Sequence, residues 1–334
     1  MTIGGAQFMP PDELPNSVKE QRKIVPKRLS PFQDEEEPRQ HPVRLRGFVL
    51  AVTVLLLCFV VPLCHLLLFA AGSALYSHIL LIPLISAYLV WLRRRSLPSD
   101  SEPPRQLAVF LLITGFVVLV GFWLAVGSAV TLTEEDSLAF TTLSFLLFFL
   151  GVCGLFLGRE ILQAIAFPLL FLVFIVPFPT FLRNGIELMS QHSSAVAANV
   201  MFRLSGMPVF REELGFQLPG IRLHVDPECS GIHSSLVLFL TSLVAGHLFL
   251  HRPWTRTVLA AAMVPLAILR NGFRIFVIGQ LCVRIGPEML YSAIHRQGGP
   301  IFFALSLVPF FVLLVVLRRL DRAMKEGIPE QHGG

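Results

Sequence analysis

Between Gly47 and Leu317 the chain is built of apolar blocks about twenty residues long, separated by short polar joints. The blocks predict about eight transmembrane helices, at residues 47–71, 74–92, 106–130, 138–158, 161–181, 232–250, 256–280 and 299–317. Each can cross about 30 Å of hydrocarbon as a helix, which satisfies its backbone polar groups internally. One joint differs from the rest. Over 183–204, Ile186, Met189, Val196, Val200 and Phe202 alternate with Arg183, Glu187, Gln191 and His192, the pattern of an amphipathic helix lying at an interface. Residues 208–226 then alternate apolar and polar positions around Pro219 and Gly220 and predict a short β-hairpin leading to Cys229. The expected fold class is an all-α polytopic membrane protein, with an extracytoplasmic amphipathic helix and a short β-hairpin before that cysteine.

Composition agrees with the pattern: 54% of the residues are hydrophobic and only 15% charged. A formal net charge of +5 does not indicate nucleic acid, because the basic residues cluster at the ends of apolar blocks. Arg44 and Arg46 precede the first block, Arg93–Arg95 follow the second, Arg159 the fourth, Arg252 and Arg256 the sixth, and Arg318, Arg319 and Arg322 the eighth. Every second end is thus basic, which predicts both termini in the cytoplasm of a cell (inner) membrane protein. The joint holding Thr133–Asp136 and the long stretch 182–231 then face outward. Residues 1–43, Pro-rich with mixed charges, predict a disordered cytoplasmic tail; 44–320 form the transmembrane domain and 321–334 a second cytoplasmic tail. No signal peptide is expected, since the first apolar stretch begins only near Gly47 and is too long for a signal core.

Five cysteines without a C-x-x-C pair suggest neither a disulfide framework nor a zinc site. Cys58, Cys64, Cys153 and Cys282 lie in or beside apolar blocks, whereas Cys229 sits among Pro227, Glu228, Ser230 and Gly231, residues of turns and helix starts. A nucleophilic cysteine needs an electropositive setting, because the thiolate is the reactive form. A helix starting at Ser230–Ile232 supplies unpaired N–H groups, and Arg274 would add a full charge, while Asp226 and Glu228 oppose both if they face the sulfur. The plainer reading is a free thiol at a helix start. Arg274, within a spanning block, either faces a wet interior or snorkels to the outer headgroups, and Arg270 suits snorkelling as well. Asn271 shares a helical face with Arg274 and is placed to hold its guanidinium. His295 is a candidate general acid and base; His233, one turn past Cys229, is its main rival, and His192 and His224 fall on the same side.

Four segments together, Tyr76–Arg95, E-C-S-G-I-H at 228–233, N-G-F-R-I at 271–275 and a His-then-Gly stretch from His295, resemble the exosortase/archaeosortase family. The resemblance covers roughly residues 47–317 and implies a multi-pass membrane cysteine transpeptidase that processes exported proteins bearing a C-terminal sorting signal: a short motif, a hydrophobic helix and a basic end. By position it assigns Cys229 as nucleophile, Arg274 of the N-x-x-R motif as the catalytic arginine and His295 as the histidine, with Ser230, Gly231, His233 and Asn271 in support. Tyr76, Ser77 and His78 match a further motif, for which packing or substrate contact is expected. Pro227, Glu228 and His233 depart from residues common in the family, which bears on substrate preference more than on chemistry. The implied partners are the substrate proteins, the lipid bilayer and an acceptor that no residue identifies; no metal or organic cofactor is needed, and no nucleic acid is expected.

A rival from another class is a transporter or lipid-binding membrane protein in which Arg274 holds an anionic group and Cys229 is incidental. Paired broken helices in corresponding halves, the usual trace of inverted repeats, are not evident. Intramembrane proteolysis by other chemistry lacks its G-x-G-D or paired-histidine signature. Hydrolysis and transfer from one thioester remain open alternatives.

Overall fold

A computed structural model describes residues 42–98, 102–128, 131–225, 231–286, 288–289 and 299–326, all in the unit that begins at Pro42. Residues 1–41 and 327–334, residues 226–230 with Cys229 and Ser230, and residues 290–298 with His295 lie outside the described residues.

The chain opens with α1 (Pro42–Cys58) and α2 (Val60–Gly72), bent by 68° at Phe59, then a 3-10 turn over Ser77–Leu80 and α3 (Ile82–Arg93). Helices α4 (Arg105–Gly127) and α5 (Glu134–Phe156) pack as an antiparallel pair, with the Ser144 hydroxyl donating to the Gly115 carbonyl across the contact at 2.9 Å. Thr133 caps α5 by accepting from the Asp136 backbone N–H, and three acidic residues occupy the first turn, where the helix dipole favours them. Short helices α6 (Arg159–Ala164) and α7 (Ala166–Phe171) lead through a 3-10 turn at Leu172–Ile175 to α8 (Thr180–Leu204), reached by a 91° bend. Strands β1 (Phe210–Glu212), β2 (Gly215–Leu218) and β3 (Ile221–His224) follow, and then α9 (Ile232–Phe249), α10 (Pro253–Arg284) and α11 (Gly299–Glu326).

Two ends of the bundle can be told apart by their contacts. At one, Arg93 donates to the Ala164 carbonyl at 2.6 Å, the Arg159 N–H donates to the Glu102 carbonyl, and Asp321 accepts from the His251 N–H at 2.8 Å and from the Thr255 hydroxyl. The basic joints read from the sequence therefore gather together. At the other end the starts of α5 and α8 meet, with the Thr180 N–H donating to Asp136 at 2.7 Å and Arg183 paired with Glu135 at 2.7 Å.

The strands form an antiparallel sheet in the order β1-β2-β3. Leu218 pairs with Ile221 across the Pro219–Gly220 turn, where Gly220 adopts φ +79°. One face of the sheet, with Phe216, Leu218, Leu223 and Val225, is buried against Ala195, Ala198 and Phe202 of α8 and Ile275 of α10. The sheet thus fixes the chain against α10 immediately before residue 226.

The structure bears in detail on two expectations. Among the described residues, five helices are long and apolar enough to cross a membrane, or up to seven if each bent pair is one crossing, where the sequence predicts eight spans. Within the block at 74–92 the chain forms a 3-10 turn over Ser77–Leu80 and then α3, a 12-residue helix of about 18 Å that a further 3-10 turn over Arg94–Ser96 continues. The expected hairpin is a three-stranded sheet, with β1 joined to β2 through Glu213 at φ +49°.

Candidate active site

The start of α9 is an unusual helix terminus. Gly231 precedes it in the left-handed region, φ +65° and ψ 16°, and its carbonyl accepts from the Ser235 N–H at 2.9 Å, the Ser234 hydroxyl at 3.0 Å, the Ser235 hydroxyl at 2.7 Å and Arg270 Nη2 at 3.2 Å. A Cβ on residue 231 would stand 2.9 Å from Asn271 Oδ1. Only glycine meets both demands, because other residues resist a positive φ and no side chain fits beside α10. Gly231→Ala is accordingly expected to destabilise the protein by about 1–3 kcal/mol, read as a lower melting temperature in detergent; an unchanged melting temperature would contradict this packing. Cys229 precedes Gly231 by two residues in the sequence.

Against this turn α10 presents Arg270 and Asn271, which are 7% and 2% exposed, with Arg274 half-buried one turn further along. Arg270 does not snorkel to the membrane surface, as its position near a span end suggested. Its Nη2 also donates to the Ser235 hydroxyl at 3.0 Å, tying α10 to the first turn of α9. Behind this face a Cβ on Gly272 would stand 2.6 Å from Ala197 of α8, so the two helices touch by their backbones and α10 is held close to the site.

The Tyr76–Ser77–His78 segment reaches the same place from α2. Tyr76 is buried, its ring tilted against that of Phe69, and its hydroxyl reaches the Phe178 carbonyl at 3.4 Å, so its part is packing. His78 Nδ1 lies 3.0 Å and His233 Nδ1 3.3 Å from one acceptor, the Leu75 carbonyl. A carbonyl only accepts, so each ring donates from Nδ1–H. Ser77, His78 and His233 line one end of an apolar cavity of about 730 Å³, which runs along α9 through Val237 and Thr241 to Phe249. From His233 to Phe249 the helix extends about 24 Å. Phe310 and Phe311 of α11 form part of the opposite wall.

The structure therefore brings together Gly231, His233, Asn271 and His78 among the residues singled out in the sequence, with Arg274 one helical turn along the same face. Sequence reasoning missed Arg270, Ser235 and the Leu75 carbonyl. The pair of serines following Gly231 was a signal for a crowded helix start, and Arg270, one turn before Arg274, was a signal for a second inward cation. Among the described residues no three His, Cys, Asp or Glu side chains converge as a metal site. A family model described as transmembrane exosortase matches residues 70–312, a span that contains every residue of this site. No curated protein and no solved structure matches the chain.

Proposed function

This chain belongs to the transmembrane exosortase family, a family of membrane transpeptidases, and we propose that it cuts the C-terminal sorting signal from exported proteins through a Cys229 thioester. The observation that carries this reading is the convergence on one short turn, two residues past Cys229, of the α9 N-terminus, the cationic face of α10 and two imidazoles. Helix N–H groups and guanidinium charge favour a thiolate. In the proposed reaction the Cys229 thiolate attacks a substrate peptide carbonyl, the C–N bond breaks, and His295 protonates the leaving amine. His295 then takes a proton from the incoming nucleophile, which displaces the sulfur and restores the thiolate. Arg274 donates to the oxyanion at both steps. By the positive-inside argument this end of the bundle faces the extracytoplasmic side.

The apolar cavity along α9 suits the hydrophobic helix of the sorting signal, which would lay a row of side chains between α9 and α11 with its outer end at Ser77, His78 and His233. Val237→Trp, which fills that cavity midway, is expected to raise the substrate concentration for half-maximal rate roughly tenfold, about 1.4 kcal/mol of lost binding. Titration of substrate in proteoliposomes measures it, and an unaltered concentration dependence would place the helix elsewhere.

The function is tested by co-expressing the enzyme with an exported protein that ends in a short motif, a hydrophobic helix and a basic tail. Intact-mass analysis should show a product that has lost the helix and tail, with any acceptor visible as added mass. A substrate of full length in every membrane fraction would reject the reading.

A further inference from the structure

Arg270 is a buried cation that the proposed chemistry does not use. It is 7% exposed, sits within a spanning helix, and its charge lies beside the positive end of α9 and one turn from Arg274. An ionised side chain inside a span is costly to insert, and two like charges beside a helix N-terminus add to that cost. For stability alone a neutral amide could make the same two hydrogen bonds. The bonds themselves are specific: one nitrogen, Nη2, reaches both the Gly231 carbonyl and the Ser235 hydroxyl, while Nη1 is buried with no hydrogen-bond partner among the described residues. The Ser235 hydroxyl in turn donates to the Gly231 carbonyl, so the three groups close a ring around the left-handed turn.

We propose that Arg270 is a positioning residue of the active site: clamped to Gly231 and Ser235, it fixes the turn at Gly231, two residues past Cys229 in sequence, and holds a positive charge beside that turn. The inference rests on Cys229 being the nucleophile. Arg270 acts through the turn and the local field; the oxyanion role stays with Arg274. The guanidinium is matched to the task because its rigid fork fixes direction as well as charge.

The test is the pH dependence of Cys229 alkylation by iodoacetamide in the detergent-solubilised full chain, followed by peptide mapping so that the other four cysteines do not interfere. Wild type should show a midpoint below the ordinary thiol value near 8.5. Arg270→Gln should raise the midpoint by roughly one pH unit. Arg270→Lys should recover most of that shift, since charge is restored without the fork. Ser235→Ala, a milder change that leaves the charge in place, should broaden the spread of alkylation rates and slow processing about threefold to tenfold; it also serves if Arg270→Gln does not fold. A depressed wild-type midpoint that Arg270→Gln leaves unmoved, or wild-type processing by Ser235→Ala, would overturn this inference alone. An ordinary midpoint in wild type would overturn the nucleophile assignment beneath it.

Discussion

Cys229→Ala enzyme is expected to reach the membrane, melt like wild type and yet yield no shortened substrate, a fall of about 10³-fold or more. Retained folding follows from what holds the turn. Its hydrogen bonds come from Gly231, Ser234, Ser235 and Arg270, and its close packing from Asn271, none of which needs the sulfur. Lost activity follows from covalent catalysis, in which alanine offers no atom to carry the acyl group. Serine at the same position should fare little better, because the α9 N-terminus and nearby guanidinium groups favour an anion at sulfur without bringing a hydroxyl into its ionising range. Intact-mass analysis of co-expressed substrate measures both variants. Processing by Cys229→Ala within tenfold of wild type would return the cysteine to the role of an incidental thiol, as a transporter or lipid-binding protein would require.

Arg274→Ala should lower the rate by 10²- to 10³-fold, the usual consequence of removing one oxyanion donor, with little change in substrate affinity. Arg274 stands half-buried on the face of α10 that carries Asn271 and Arg270 toward Gly231. Arg274→Lys should recover only part of the rate, since a point charge lacks the directed pair of donors. Initial rates across substrate concentration separate the two parameters. A variant that binds substrate weakly but turns over at the wild-type rate would mark Arg274 as a binding residue instead.

Much of the architecture was legible in the apolar blocks, because a helix in hydrocarbon must satisfy its own backbone and so needs an unbroken apolar run. The breaks were not legible. The 68° bend at Phe59 lies within continuous apolar sequence, and the 3-10 turn over Ser77–Leu80 that leads into α3 lies in a block whose apolar content gives no sign of it. The strand pair around Pro219–Gly220 could be read from alternation and turn chemistry, whereas β1 is three residues long and depends on Glu213 at φ +49°, for which glutamate gives no sign. In the site, Gly231 and Asn271 were found through their neighbours in the sequence. Arg270 was misplaced because a sequence states a charge but not which way a long side chain turns. The Leu75 carbonyl, which orients both His78 and His233, is a main-chain acceptor and leaves no mark in the residue type. Cys229 and His295, expected on the same side of the membrane as this cluster, lie outside the described residues.

The proposal stands on a covalent bond between substrate and Cys229, and that bond can be weighed. Purified enzyme mixed with substrate and quenched in acid should gain the mass of the substrate up to its cleavage point, on the peptide containing Cys229, and hydroxylamine should remove it. Continued shortening of substrate with no adduct at Cys229, by enzyme whose Cys229 has first been fully alkylated, would contradict the account.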